Sequence, residues 1–86
     1  MPQVLDARGL LCPEPVLRTR KAMAGVAPGE TLTVLATDPA AAIDFPYYCH
    51  HAGLELLSAR KEAEMLVFDI RKPSEPAGPA SGRPIA

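Results

Sequence analysis

The chain is short and nearly neutral, with 86 residues, a net charge of −1 and two cysteines. This length allows one domain, and two cysteines are too few for a disulfide scaffold, so the fold must rest on a small apolar core. The weak charge excludes bulk attraction to nucleic acid, and no segment approaches the ~20 apolar residues of a membrane span. No signal peptide is visible. We therefore expect a cytoplasmic protein with free thiols that makes no direct contact with nucleic acid or a membrane.

The first half of the chain is predicted to contain a strand, a helix and a second strand. Gln3–Ala7 reads as a short first strand. The helix is expected to begin in the segment Pro13–Pro15 and to run to about Ala24, where Gly25 suits the left-handed position after a helix end. Thr31–Ala36 alternates in polarity with period two, which predicts the second strand.

The second half is predicted to contain one helix and a hairpin. Asp38 is expected to cap this helix, with Pro39 at the first helical position and Ala40–Ala52 following. Pro46 should kink the helix or divide it into two pieces, and Gly53 should end it. The remaining elements are a third strand, a hairpin turn and a fourth strand, at Leu54–Arg60, Lys61–Glu64 and Met65–Arg71.

The predicted element order, βαβαββ, indicates an α+β fold. We expect a two-layer sandwich with two helices on one face of a mixed four-stranded sheet. Residues 1–72 would form this domain. Residues 73–86 lack apolar periodicity and hold four of the ten prolines, which predicts a disordered tail.

Cys12 directly precedes the proline-rich start of the first predicted helix. Pro13 disfavours helical backbone angles at Cys12, and the helix end favours a thiolate. We expect the N–H groups of Glu14 and Val16 to point towards the sulfur. The Glu14 carboxylate opposes the thiolate, and Arg8 could offset it, so a moderately lowered pKa is expected. The alternative is a buried core cysteine beside prolines that merely start a helix.

The segment from Asp6 to Pro15 resembles the signature of the TusA (SirA-like) family of sulfur carriers, whose mark is a CPxP element. The resemblance covers residues 3 to about 72. It continues in order through Arg20-Lys21, Pro28–Leu32, Ala36–Ala40, Asp44–Pro46 and Cys49. It implies the same βαβαββ sandwich and a persulfide sulfur carried on Cys12. Pro13, Glu14 and Pro15 would support that site, with no cofactor and no metal.

The resemblance also implies partners. The sulfur donor would be a cysteine desulfurase or a rhodanese-like protein, and the acceptor would be another sulfurtransferase. Destinations in the family include transfer RNA 2-thiouridine, molybdenum cofactor and sulfur oxidation, and a carrier is a co-substrate rather than a turnover enzyme. Arg18, Arg20 and Lys21 could dock an acidic donor surface or form an ordinary solvated helix face. Leu11 stands where some tRNA-thiolating members have a basic residue, which leaves the choice of partner open.

Cys49, His50 and His51 allow three interpretations. Consecutive helical residues diverge by ~100°, which disfavours convergence on one metal ion. As a resolving thiol, Cys49 could form a disulfide with Cys12. It could instead pack beneath the second helix while the histidines are solvated. Two other functions therefore remain as alternatives, a non-catalytic adaptor module of the same fold and a thiol redox enzyme that uses both cysteines.

Overall fold

The computed structural model describes residues 3–74. No helix in that range is long and apolar enough to span a membrane. The predicted order βαβαββ is confirmed, with the elements β1 (Gln3–Ala7), α1 (Glu14–Met23), β2 (Thr31–Ala36), α2 (Ala41–Ala52), β3 (Glu55–Glu62) and β4 (Met65–Arg71). Most of the proposed tail, residues 75–86, lies outside the described residues.

The four strands form one mixed sheet in the order β1-β2-β4-β3. β1 pairs with β2 in parallel, because α1 carries the chain back across the sheet between them. β4 lies antiparallel to both β2 and β3. Helix α1 packs on β1 and β2, α2 packs on β3 and β4, and the two helices contact each other. The predicted two-layer α+β sandwich is therefore confirmed.

The hydrophobic core lies between the helices and one face of the sheet. β2 contributes alternate residues, Leu32, Val34 and Ala36, all of them buried. Phe45 of α2 stacks on Phe68 of β4 with the ring centroids 4.6 Å apart. The opposite face of the sheet carries polar contacts, such as the hydrogen bond from the Thr33 hydroxyl to the Asp69 carboxylate at 2.7 Å. One face is thus built for the core and the other for solvent.

The two helices end by different devices. Gly53 adopts a left-handed conformation (φ 73°) after α2, as predicted. The same prediction for Gly25 is wrong, since α1 closes with Ala24 in a right-handed helical conformation. The ammonium group of Lys72 donates to the carbonyls of Met23 and Val26 at 3.1 and 2.9 Å. The N–H groups of Gly25 and Val26 also donate to the carbonyls of Ala22 and Met23, so the end of α1 is closed both by the residues that follow it and by a side chain from beyond β4.

Helix α2 is continuous from Ala41 to Ala52, so Pro46 does not divide it. The proline removes one N–H donor, but its ring is exposed on the solvent side. Burial of Phe45 and Cys49 on the inner side holds the helix together across that gap. The hairpin is also tighter than predicted, because β3 extends to Glu62 and leaves a two-residue turn.

Candidate functional site

Cys12 is exposed at the point where the chain enters α1. Pro13 is the N-cap residue of that helix, and the peptide bond between Cys12 and Pro13 is cis. The thiol lies on an open groove of about 440 Å³ between α1 and α2. The groove is lined by Cys12, Pro13, Val16 and Arg20 on one side and by Asp44, Tyr47, Tyr48, His51 and Ala52 on the other.

The backbone of Cys12 is tied to the loop that precedes α2. Its N–H donates to Asp38 Oδ2 at 2.6 Å, while Asp38 Oδ1 accepts from the N–H of Ala40 at 3.1 Å. Gly9 N–H donates to Thr37 Oγ1 at 2.9 Å beside this contact. The predicted N-cap role of Asp38 needs correction, since Ala40 occupies the N-cap position of α2. Asp38 instead closes the preceding turn and holds the cysteine loop in place.

The Cys12 thiol itself contacts a carboxylate. Its Sγ donates to Asp44 Oδ2 at 3.0 Å, and Asp44 lies in the first turn of α2. This hydrogen bond raises the pKa of the thiol, and desolvation and the negative charge of Asp38 act in the same direction. The expected moderately lowered pKa is therefore wrong. The carboxylate that decides the pKa comes from 32 residues along the chain rather than from Glu14.

The groups expected to tune the thiol are occupied elsewhere. The N–H of Glu14 donates to the Leu11 carbonyl at 2.9 Å rather than pointing at the sulfur. The Glu14 carboxylate pairs with Arg18 along the exposed face of α1, at 3.4 Å. Arg8 binds Asp6 through two nitrogens, each 2.8 Å from a carboxylate oxygen, and this pair lowers the pKa of Asp6 to about 2. Arg8 is thus engaged in its own ion pair.

The three proposed docking cations do not share one surface. Arg20 lines the groove that contains Cys12. Arg18 and Lys21 line a different depression of about 640 Å³, beside Leu17. Helical geometry separates them, because residues one or two positions apart point in different directions. Arg20 alone among the three is placed beside the thiol.

Cys49 belongs to the core rather than to the groove. It is 2% exposed, and burial raises the pKa of its thiol to about 11. His50 and His51 are exposed, and the His51 ring lies 4.2 Å from that of Tyr47. Among residues 3–74, no group of three or more His, Cys, Asp or Glu side chains could hold a metal ion. These positions favour the core interpretation of Cys49 over a resolving thiol.

The far wall of the groove was not identified from the sequence. Asp44, Tyr47, Tyr48 and His51 recur at helical spacing, so they share one face of α2. This helical spacing is the one sequence pattern that could have indicated the wall. The face carries mixed polar and aromatic residues and therefore lacks the apolar pattern by which a buried helix face is recognised.

The fold and the exposed cysteine define a small α+β protein with one accessible thiol on its helical layer. The family profile described as Sulfurtransferase TusA matches residues 3–72, so the chain belongs to the TusA family. The chain is 42% identical over 72 residues to the sulfur carrier protein TusA of Pseudomonas paraeruginosa, covering 84% of this chain and 91% of the relative. The TusA protein of Pseudomonas putida strain GB-1 is also 42% identical over 72 residues, which cover 84% of this chain and 90% of that relative.

A solved structure has the same architecture. The crystal structure of the SirA-like protein from Desulfitobacterium hafniense superposes with a TM-score of 0.70 at 26% identity, covering 81% of this chain and 95% of that one. The predicted family and its fold are therefore confirmed. The family is one of sulfur carriers, and a sulfur carrier implies a donor and an acceptor of sulfur.

Proposed function

We propose that Cys12 accepts a persulfide sulfur from a donor protein and relays it to an acceptor thiol. The observation that carries this proposal is the contrast between the two cysteines. Cys12 is exposed on an open groove, whereas Cys49 is buried in the core. Attack on a protein-bound persulfide requires sulfur atoms to approach within ~3–3.5 Å, which an exposed thiol permits and a buried one does not.

The exchange conserves electrons. The Cys12 sulfur attacks the outer sulfur of the donor persulfide, forming a new S–S bond while the donor's own S–S bond breaks. The electron pair of the broken bond goes to the donor cysteine, and the proton lost from Cys12 balances it there. In the second step an acceptor thiolate attacks the outer sulfur on Cys12, and Cys12 leaves as the thiolate.

The groove provides a place for the donor's reactive loop. Its two walls come from α1 and α2, with the aromatic rings of Tyr47 and Tyr48 along one side and the guanidinium of Arg20 on the other. Aromatic and arginine side chains are enriched at protein interfaces. A cysteine desulfurase or a rhodanese-like protein would present its persulfide here, and an acceptor sulfurtransferase would use the same opening after the donor has left.

Intact mass measurement tests the relay. The wild type, Cys12→Ser and Cys49→Ser are each incubated with a cysteine desulfurase, its pyridoxal cofactor and cysteine, without reductant, and in parallel with a rhodanese and thiosulfate. We expect a reductant-sensitive gain of one sulfur atom in the wild type and in Cys49→Ser, and none in Cys12→Ser. Cys49→Ser is the matched control, because it makes the same atomic change at the buried cysteine.

Three outcomes would contradict the relay through Cys12 alone. Loading that persists in Cys12→Ser would place the sulfur elsewhere. Failure of the wild type to load from either donor would remove the basis for a carrier and favour an adaptor module of the same fold. A loss of loading in Cys49→Ser as well would favour a thiol redox enzyme that uses both cysteines.

A further inference from the structure

The contact between the Cys12 thiol and a carboxylate is unexpected for a sulfur nucleophile. A carboxylate at 3.0 Å stabilises the S–H form and repels a thiolate. We propose that Asp44 biases sulfur exchange in favour of release, by holding empty Cys12 as a protonated thiol and by destabilising the anionic persulfide that loading creates. This inference rests on the relay function proposed for Cys12.

The geometry around the thiol supports this role. Asp44 is half-buried in the first turn of α2, and Asp38 binds the backbone N–H of Cys12 at 2.6 Å. Both carboxylates therefore face the entry to α1 from the α2 side, and both raise the pKa of the thiol. On the α1 side, Arg20 lines the groove.

Other titratable groups lie around the groove. His51 and Tyr48, on the later turns of α2, line the same groove. Glu14 follows Cys12 closely in the chain, but its carboxylate pairs with Arg18 on the exposed face of α1. The hydrogen bonds recorded for Cys12 within residues 3–74 go to Asp38 and Asp44. These two carboxylates are therefore the charges in direct contact with the carrier residue.

The exchange shows which side of the equilibrium Asp44 favours. Empty Cys12–SH and a donor persulfide R–S–S⁻ give Cys12–S–S⁻ and R–SH, with one S–S bond formed, one broken and one proton moved to R–S⁻. On the left, the thiol donates a hydrogen bond to Asp44. On the right, that donor is gone, and a negative outer sulfur lies near two carboxylates. Asp44 therefore raises the free energy of the loaded carrier relative to the empty one.

The first measurement needs no sulfur donor. The rate of Cys12 alkylation by iodoacetamide is followed against pH by peptide mass spectrometry for the wild type and Asp44→Asn. Loss of one charged hydrogen bond at an exposed site should lower the pH midpoint by roughly 0.5 to 1 unit and speed alkylation at pH 7 about fivefold. An unchanged or higher midpoint would overturn the proposal.

Two control variants separate the contact from general effects. Glu64→Gln removes one negative charge in the exposed turn between β3 and β4 and should leave the profile unchanged. Asp44→Glu keeps the charge and should restore a raised midpoint in part. Circular dichroism confirms that each variant is folded, since Asp44 also stabilises the helix N-terminus. A shift of equal size in Glu64→Gln would show a net-charge effect and contradict a specific role for Asp44.

The second measurement reads the exchange itself. Each protein is equilibrated with a fixed ratio of glutathione persulfide to glutathione, and the loaded fraction is taken from the intact mass. The equilibrium constant for loading should rise about fivefold in Asp44→Asn and stay constant in Glu64→Gln. No loading of the wild type would contradict the relay function, whereas normal loading with an unchanged constant in Asp44→Asn would contradict only the role of Asp44.

Discussion

The two cysteines show how far the surroundings of a residue decide its chemistry. Cys12 is exposed, and a carboxylate accepts its S–H. Cys49 is 2% exposed and packs in the core, where burial alone raises the pKa of its thiol to about 11. One thiol can therefore meet a partner, while the other behaves as a small apolar side chain.

Burial of Cys49 predicts a pH-dependent stability. Its thiol ordinarily titrates at pH 9.0, and its pKa is about 11 in the folded state. Between these values the unfolded chain loses a proton that the folded chain keeps, so stability falls as pH rises. Urea titrations at pH 9.0 and at about pH 11 give the loss in the free energy of unfolding between these two pH values. This loss should be smaller in Cys49→Ala than in the wild type, and the difference should be at most about 2–3 kcal/mol.

Cys12→Ala is the matched control for this effect. It removes the exposed thiol and keeps the buried one, so most of the loss of stability at alkaline pH should remain. An equal alkaline loss in the wild type and in Cys49→Ala would contradict the raised pKa of Cys49. Any loss of stability in Cys49→Ala at pH 7 reports the missing sulfur in the core and is read separately.

At the scale of elements, the helix ends depend on distant groups. The last carbonyls of a helix have no partner within it. In α1 the N–H groups of Gly25 and Val26 donate to the carbonyls of Ala22 and Met23, and the Met23 carbonyl also accepts from the ammonium of Lys72, 49 residues further along the chain. This contact ties the C-terminal end of α1 to the segment after β4, beside the backbone bonds that Lys72 makes with Gly29 and Glu30.

We expect Lys72→Met to destabilise the fold by about 1–2 kcal/mol. Methionine preserves the length of the side chain but donates no hydrogen bond to the carbonyls of Met23 and Val26. Lys61→Met makes the same exchange at an exposed position of β3 and should change stability by less than about 0.5 kcal/mol. Urea titration of both variants measures the difference, and equal effects at the two positions would show that Lys72 does not cap α1.

At the scale of the whole molecule, one aromatic contact joins the two layers. The stacked rings of Phe45 and Phe68 connect α2 to the central part of the sheet, and both residues are at most 2% exposed. The other face of the sheet carries ion pairs, such as the one between Arg60 Nη1 and Asp69 Oδ2 at 2.8 Å. Exposed ion pairs contribute little to stability, so the two layers are held together by the buried core to which these rings belong.

Truncation of Phe45 should therefore be costly. Phe45→Ala is expected to lower the free energy of unfolding by about 3–5 kcal/mol, a large share of the stability of a small domain. Tyr47→Ala removes an aromatic ring from the same helix, but that ring is 66% exposed and its loss should cost under about 1 kcal/mol. If Phe45→Ala does not fold, Phe45→Leu retains enough side-chain volume for its stability to be measured by thermal unfolding. Its cost should lie between those of Tyr47→Ala and Phe45→Ala.

Much of the fold was predictable because its signals are local. The alternation in Thr31–Ala36 and the glycine at position 53 each predict their own structure from a few neighbouring residues. The element order then indicated the two-layer sandwich. The left-handed conformation predicted at Gly25 was wrong, and the Met23 carbonyl at the end of α1 accepts in addition from Lys72, a contact that no local pattern signals.

The same division applies to the site. Cys12 was singled out as the candidate carrier residue by the CPxP element together with the family-like segments that follow it in order, and the prolines predicted the start of the next helix. The sequence by itself therefore determined the family and the order of elements, and it supplied Cys12 as the candidate reactive residue. Only the tertiary structure decided the surroundings of that residue, because packing of α1 against α2 brings Asp38 and Asp44 to Cys12 from 26 and 32 residues away. A pKa depends on distances in space, and local sequence patterns carry no information about such distances.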